Sequence, residues 1–427
     1  MTQPMRSGSG ITQREVYKLI DKLLAGHFDA EEDLLKTLVR DLCARSEFGL
    51  LGARIWEIDE TEDRYAILFQ HGSVTGIPDD YNVSVVDQPV FRSLAEKRVV
   101  VSMETDPLLL ENGITQYAAT GVGEIIKRNG HPLVRYVLAF NAADSVGELT
   151  STMTVISSAT TTALRNLSLR RQQAKLKRDL DQASEIQRSL LPDHTLEFFE
   201  YSVFGISLPD SIVGGDYFDY LTTTSDDDEQ RSGIVISDAA SKGLPAAIQA
   251  LFVSGALRMG SGFQTKITSL ISRLNNLIYD TFPYERFVTL CYCELTQSRN
   301  GLMLYCNAGH CSPIHYRRSA DACVALEPTG PLLGIAPHQQ YRVEGVNLER
   351  GDVLVLFTDG ISEAQNEEGE QFGEKRIEDI VMKHRDDSAR TLATTLLEQV
   401  QTFSAHGTYS DDRTIVVIKR DRTGPSA

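Results

Sequence analysis

Four apolar, strand-like stretches of this chain each carry an aspartate where the run stops or turns. SIVGGDYFDYL contains Asp216, GIVISDAA contains Asp238, DVLVLFTDG contains Asp359, and TYSDDRTIVVIK places Asp411 and Asp412 just before a strand. One such residue is an ordinary turn or helix cap. Four sites, each beside glycine or small residues that let backbone approach closely, suggest carboxylates gathered at one edge of a sheet. Like charges a few ångströms apart raise each other's pKa, and a divalent cation relieves that repulsion. Oxygen donors without an accompanying His or Cys favour Mg2+ or Mn2+ over Zn2+. Two such ions about 3.5 to 4 Å apart can activate a water and clamp a phosphoryl group. The chemistry indicated is metal-assisted hydrolysis of a phosphate ester.

The elements that must position these residues alternate short strands and helices from about residue 193 to 420. Residues 244–259, with Pro245 near the first turn, read as a helix apolar nearly all round and therefore buried. Ile267, Leu270, Ile271, Leu274, Leu277 and Ile278 form a second helical stripe, and residues 391–403 a third. Gly214 and Gly215 suit a turn that passes close to Asp216 and to a bound phosphate. His310, in NAGH, suits either a general acid or, with Asn307, the organiser of a strand end, and Glu363, Glu368 and Glu370 read as solvated or capping acids. The polar run TTTSDDDEQRSG reads as an exposed loop.

Upstream, apolar positions at helical spacing (Val16, Ile20, Leu23, Leu34, Leu35, Leu38, Leu42) precede strand-like ARIWEID and YAILFQHG. QPVFRSLAEKR reads as a helix, VVVSM as a strand, and residues 124–140 as a hairpin turning at Asn129 and Gly130. Trp56 and Tyr65 either line a pocket or fill this domain's core. Residues 145–192 read as one long helical linker, with Leu169, Leu176, Ala183 and Leu190 recurring every seventh position and Leu180 between them. This partial heptad suits a parallel coiled coil, although Gln173 and Gln187 interrupt the seam. Pro192 stops the helix. The expected layout is a tail (1–12), a mixed α/β domain (13–144), the linker (145–192), the domain bearing the aspartates (193–420) and a tail (421–427).

The ordered motifs QRSLLP, IVGGDYFDY, ISDAASKGLPAA, FVTLCYCEL, LYCNAGHCSPI, GPLLGI, LFTDGISEAQNEEGEQFG and DDRTIVVI resemble the stage II sporulation protein E branch of the PPM metal-dependent serine/threonine phosphatases. The resemblance implies an α+β chain whose catalytic domain is an αββα sandwich holding two Mn2+ or Mg2+ ions at one edge. It further implies that Asp216, Asp238, the backbone carbonyl of Ala239, Asp359 and Asp411 are ligands, with Asp238 bridging both ions. Asp412 stays open as the alternative to Asp411, because neighbouring residues at a strand end point oppositely. The family commonly has glycine where this chain has Ser241, and a side chain there would be strained by any positive φ. The order of elements in residues 13–144 resembles a GAF-type sensory domain.

The implied function is a phosphoprotein phosphatase, regulated by the N-terminal domain through a dimeric helical linker. Its implied substrate is a phosphorylated STAS-type anti-sigma-factor antagonist; the alternative is a scaffold that binds a partner without turnover. A small-molecule or protein input would act on the sensor. The 427 residues accommodate two or three domains. A formal charge of -17 argues against nucleic acid or anionic lipid as a partner. The six cysteines show no CxxC or zinc-type spacing and read as free thiols of a cytoplasmic protein, with Cys291 and Cys293 on one strand face. No run reaches the roughly 18 apolar residues of a membrane span.

Overall fold

The computed structural model describes residues 13–421, apart from 60, 73–76, 79, 87–89, 106, 112–115, 129, 143–149, 225–229, 264–265, 284, 298–299 and 408–410. Residues 1–12, Asn129 of the expected hairpin turn, the start of the expected linker, part of the acidic run and the last six residues lie outside the described set. The chain divides into two compact units, Met1–Leu176 and Lys177–Ala427.

The first unit runs α1 (Gln13–Ala25), α2 (Glu31–Cys43), β1 (Leu50–Asp59), β2 (Arg64–Gly72), β3 (Asn82–Ser84), α3 (Val90–Lys97), β4 (Val99–Met103), α4 (Pro107–Glu111), β5 (Gln116–Arg128) and β6 (His131–Ala142). Its antiparallel sheet has the order β3-β2-β1-β6-β5-β4. Alternation along the strands sends Ala53, Ile55, Ala118, Leu138 and Phe140 to a core shared with α1 and α2. Trp56, Tyr117, Ala119 and Val137 go to the opposite face, with Phe91 and Leu94 of α3. The helical periodicity of residues 13–45 is split into two helices. A Cβ at Gly26 would come within 2.8 Å of the Lys22 carbonyl, so the chain turns there. β5 begins at Gln116, ahead of the expected strand, because its first half (QYAATGVG) is too rich in small residues to read as one.

Helix α5 (Thr150–Leu190) is continuous and ends just before Pro192. In the second unit follow β7 (Thr195–Phe198), β8 (Tyr201–Leu208), β9 (Tyr217–Thr224), β10 (Gln230–Ala239), α6 (Leu244–Ser261), α7 (Ile267–Thr281), β11 (Val288–Thr296), β12 (Leu302–Ala308), β13 (Ile314–Arg317), β14 (Ala322–Ala325), β15 (Glu344–Asn347), β16 (Val353–Phe357), α8 (Asp359–Ser362), α9 (Gly373–Lys383), α10 (Ala389–Phe403) and β17 (Arg413–Arg420). Two antiparallel sheets, β15-β12-β11-β10-β9 and β14-β13-β16-β17-β8-β7, face each other. Ile234, Ile236, Cys291 and Cys293 of one sheet fill the space between them together with Leu354, Leu356, Val416 and Ile418 of the other. The outer faces carry α6 and α7 on one side and α9 and α10 on the other. This is the expected αββα sandwich.

One helix departs from expectation. α6 covers a single sheet face, so only Ala246, Ala247, Gln249, Ala250, Val253, Ser254 and Leu257 are buried, while Leu244, Ile248 and Met259 are exposed. An outer-layer helix is covered on one side only, here by the sheet and by α7 beside it, whatever the apolarity of its other face. All six cysteines are free; Cys291, Cys293 and Cys306 are buried, and Cys43, Cys311 and Cys323 are half-buried.

Candidate active site

Antiparallel pairing decides where the aspartates meet. β10 runs against β9, so the end of β10 lies beside the start of β9, and β16 stands in the same relation to β17. Asp238 and Ala239 close β10, Asp216 leads into β9, Asp359 follows β16 as the first residue of α8, and Asp411 and Asp412 precede β17. Asp216 therefore sits at the start of its strand; residues 209–216 before it are turns and bends.

A hydrogen bond ties the two sheets at this edge. Thr358, fully buried, donates from Oγ1 to Asp216 Oδ2 at 2.8 Å and accepts the Thr414 backbone N–H at 3.0 Å. Burial is the largest influence on Asp216 and pushes its pKa well up, with the Asp238 charge adding to it and the Thr414 and Thr358 hydroxyls opposing. Asp238 is pushed up to about 8, by burial first and then by Asp359, Asp411 and Asp412. Asp359 is raised by burial and by Asp411 and Glu363. Five carboxylates from four stretches are thus within electrostatic reach of one another.

The adjacent acids Asp411 and Asp412 do different things. Asp412 accepts backbone N–H groups from Asp210 at 2.8 Å, Gly215 at 2.5 Å and Asp216 at 3.4 Å, and so holds the turn before β9. Asp411 Oδ2 lies 2.8 Å from the ammonium of Lys242. The glycines at this edge are sites of close approach. A Cβ on Gly214 would stand 2.7 Å from Asp412 Oδ2, one on Gly215 2.9 Å from the Ala246 Cβ, and one on Gly360 2.0 Å from the Asp412 carbonyl.

The turn after Asp238 is unstrained at Ser241, which is not among the residues with positive φ; Gly243 takes the positive φ instead, at 68°. Ser241 Oγ donates to Gln249 Oε1 at 2.9 Å, and Gln249 Nε2 donates to the Arg286 carbonyl at 2.9 Å. The serine thus pins the turn to α6. His310 is buried, bonded through Nδ1 to Thr289 Oγ1 at 2.8 Å, while its backbone N–H donates to Asn307 Oδ1 at 2.8 Å. Burial pushes its pKa down to about 4, with the Phe357 carbonyl opposing. Glu370 pairs with Arg376 at 2.6 Å.

Among the described residues, no three His, Cys, Asp or Glu side chains enclose a common point as they stand. The donor set nevertheless suits a hard divalent cation. It is oxygen only, concentrated, and balanced nearby by a single exposed lysine, and the raised proton affinities mark carboxylates short of positive charge.

Three features escaped the sequence reading. Thr358 and Thr414 had no signal beyond adjacency to aspartates. Asp219, buried on β9, binds Arg258 of α6 (Nε to Oδ2, 2.6 Å) and the Tyr217 hydroxyl; the same guanidinium donates to the Leu190 carbonyl at 2.7 Å. A second acid in GGDYFDY was its only trace. Gln187, read as a break in the heptad, grips Gly214 by donating from Nε2 to its carbonyl at 2.6 Å and accepting its N–H at 3.2 Å.

Residues 228–421 match the family model described as Stage II sporulation protein E (SpoIIE). Over these residues the chain is similar to the SpoIIE-type phosphatases. The chain is similar to the phosphoserine phosphatase RsbU of Bacillus subtilis (strain 168), at 27% identity over 258 residues, covering 59% of this chain and 73% of RsbU. It is also similar to protein IcfG of Synechocystis, at 24% identity, covering 57% of this chain and 42% of IcfG. Among solved structures, the SiaA-PP2C domain of Pseudomonas aeruginosa superposes with a TM-score of 0.48 at 22% identity, covering 58% of this chain and 98% of that domain. The SpoIIE-type match begins shortly before β10 and so includes Asp238, Asp359 and Asp411. No described helix is long and apolar enough to cross a membrane.

Proposed function

We propose that this chain is a protein serine/threonine phosphatase in which Asp216, Asp238, Asp359, Asp411 and the Ala239 carbonyl hold two Mn2+ or Mg2+ ions. The convergence of five aspartates from four separate stretches at one edge of the sandwich carries this reading. When bound, the ions supply an activated water and neutralise charge on the phosphoryl group. The chain's own residues orient that chemistry. Thr358 and Thr414 fix the Asp216 carboxylate, and Asp412 holds the Gly214-Gly215 turn against the site. Asp411 is the ligand of the DD pair in this reading, because the backbone N–H groups around Asp412 already occupy its carboxylate.

The substrate in this proposal is a phosphorylated protein of a partner-switching pathway, specifically a STAS-type anti-sigma-factor antagonist. RsbU, by its name a phosphoserine phosphatase, supports the phosphoprotein class. The N-terminal unit acts as a GAF-like sensor, and α5 pairs two chains. Leu169, Leu176 and Leu190 are 47%, 59% and 37% exposed on α5, which supports helix pairing.

Mn2+-dependent hydrolysis of p-nitrophenyl phosphate, of a phosphoserine peptide and of a phosphorylated STAS protein tests the proposal. Asp238→Ala and Asp359→Ala should each lower turnover by about 100-fold or more. Absence of metal-dependent turnover of all three substrates would leave only the partner-binding scaffold. A monomer in sedimentation that kept full regulation would refute pairing through α5.

A further inference from the structure

The N-terminal unit contains a cavity of about 50 Å³ between its sheet and α3. Trp56, Phe91, Leu94 and Val137 make its walls apolar. Arg54 also lines it, at 4% exposure. Burying a guanidinium in such surroundings is costly unless its charge and its five N–H groups are satisfied. Here they are not. Nη1 donates to Asn141 Oδ1 at 2.8 Å, and Nε, fully buried, donates to nothing. Asn141 is itself held, since its Nδ2 donates to the Gln116 carbonyl at 3.0 Å; its oxygen must then face the arginine. The Glu104 carboxylate also lines the cavity and offsets part of the charge. Burial still outweighs it and pulls the arginine's pKa down to about 10.

The placement follows from register. Arg54 of β1 pairs with Ala139 of β6, and Ala139 pairs with Ala119 of β5, so one row crosses three strands on the α3 face. The two alanines leave the room into which the arginine projects; a larger residue at either would fill it. An apolar chamber with one under-satisfied, pre-oriented cation selects a monoanion with an apolar tail. At about 10 to 15 Å³ per water-sized atom, the space takes roughly four atoms without movement, and a short carboxylate with a modest opening of the mouth. A phosphate dianion would bring two charges to a cavity whose single cation is already offset in part by Glu104.

We propose that the N-terminal unit binds a short-chain organic monocarboxylate, its carboxylate on Arg54 and its alkyl part against Trp56, Phe91 and Leu94. This site lies outside the phosphatase domain, and its test does not depend on that activity. Calorimetric titration of the full chain with butyrate or isovalerate, to about 10 mM, should show saturable binding. Isovaleramide, the uncharged isostere, should bind at least about tenfold more weakly, and Arg54→Met should lose the preference for the acid. Should Arg54→Met fail to fold, Ala139→Leu decides the location: it keeps the arginine, fills the cavity and should abolish binding. No saturable binding of either acid, equal binding of acid and amide, inorganic phosphate binding more tightly than both acids, or undiminished binding by Ala139→Leu would each overturn the proposal.

Discussion

Thr358→Val is the sharpest test of how the two sheets are joined at the aspartate edge. Valine has nearly the shape of threonine, so the substitution removes the hydroxyl and little else. Two partners are stranded at a fully buried position: the Asp216 carboxylate loses a donor at 2.8 Å and the Thr414 N–H loses its acceptor at 3.0 Å. An unsatisfied buried N–H costs about 1–3 kcal/mol, and a hydrogen bond to a charged group contributes a similar amount, so a destabilisation of about 2–4 kcal/mol is expected. At about 2–4 °C per kcal/mol for a unit of this size, Tm should fall by roughly 5–15 °C. Differential scanning calorimetry of the full chain reads this directly. Thr358→Ser restores the hydroxyl and should recover most of the loss. Affinity for Mn2+ should weaken in Thr358→Val and return in Thr358→Ser, because the same bond orients Asp216. If Thr358→Val lay within about 0.5 kcal/mol of the parent, the hydroxyl would not be organising Asp216, and the account of this edge would be wrong.

Other consequences follow from the same geometry. Gly360→Ala places a Cβ 2.0 Å from the Asp412 carbonyl, a backbone atom that cannot yield without moving β17, and should destabilise by more than about 2 kcal/mol in urea titration. Arg258→Met strands the buried Asp219 carboxylate. Because Arg258 itself is 42% exposed, the loss should be about 2 kcal/mol, below that of a fully buried pair, and adding Asp219→Asn should recover part of it. His310 has its pKa depressed from 6.5 to about 4 by burial, so as pH falls the unfolded chain takes up the proton first. Stability is then intact above about 6.5 and declines towards pH 4, by about 3 kcal/mol in total. His310→Gln should lack that component in urea midpoints measured across the range.

The elements that carry the site were legible because their signals are local. Alternating apolar residues mark β10, β16 and β17, and the stripes of α7 and α10 recur at helical spacing. What failed was reasoning that needed a neighbour. α6 is apolar on nearly every side yet exposes Leu244, Ile248 and Met259, since burial depends on how many layers cover a helix. Ser241 looked like a source of strain because a family glycine is missing, but the fold moves the positive φ to Gly243 and uses the serine hydroxyl to hold Gln249. Gln187 looked like a fault in a heptad and proves to hold the Gly214 turn.

The sequence alone determined that four stretches would each bring an aspartate to a strand terminus, in an order of motifs that resembles the SpoIIE-type phosphatases. Side-chain chemistry and residue order are written in the chain itself. Only the tertiary structure decided which acids meet. Antiparallel pairing puts the end of β10 beside the start of β9 and the end of β16 beside the start of β17, and the sandwich lays one pair over the other. It also separated Asp411 from Asp412: adjacent residues identical in chemistry differ only in what surrounds them. The backbone of residues 210–216 surrounds one, and Lys242 lies against the other.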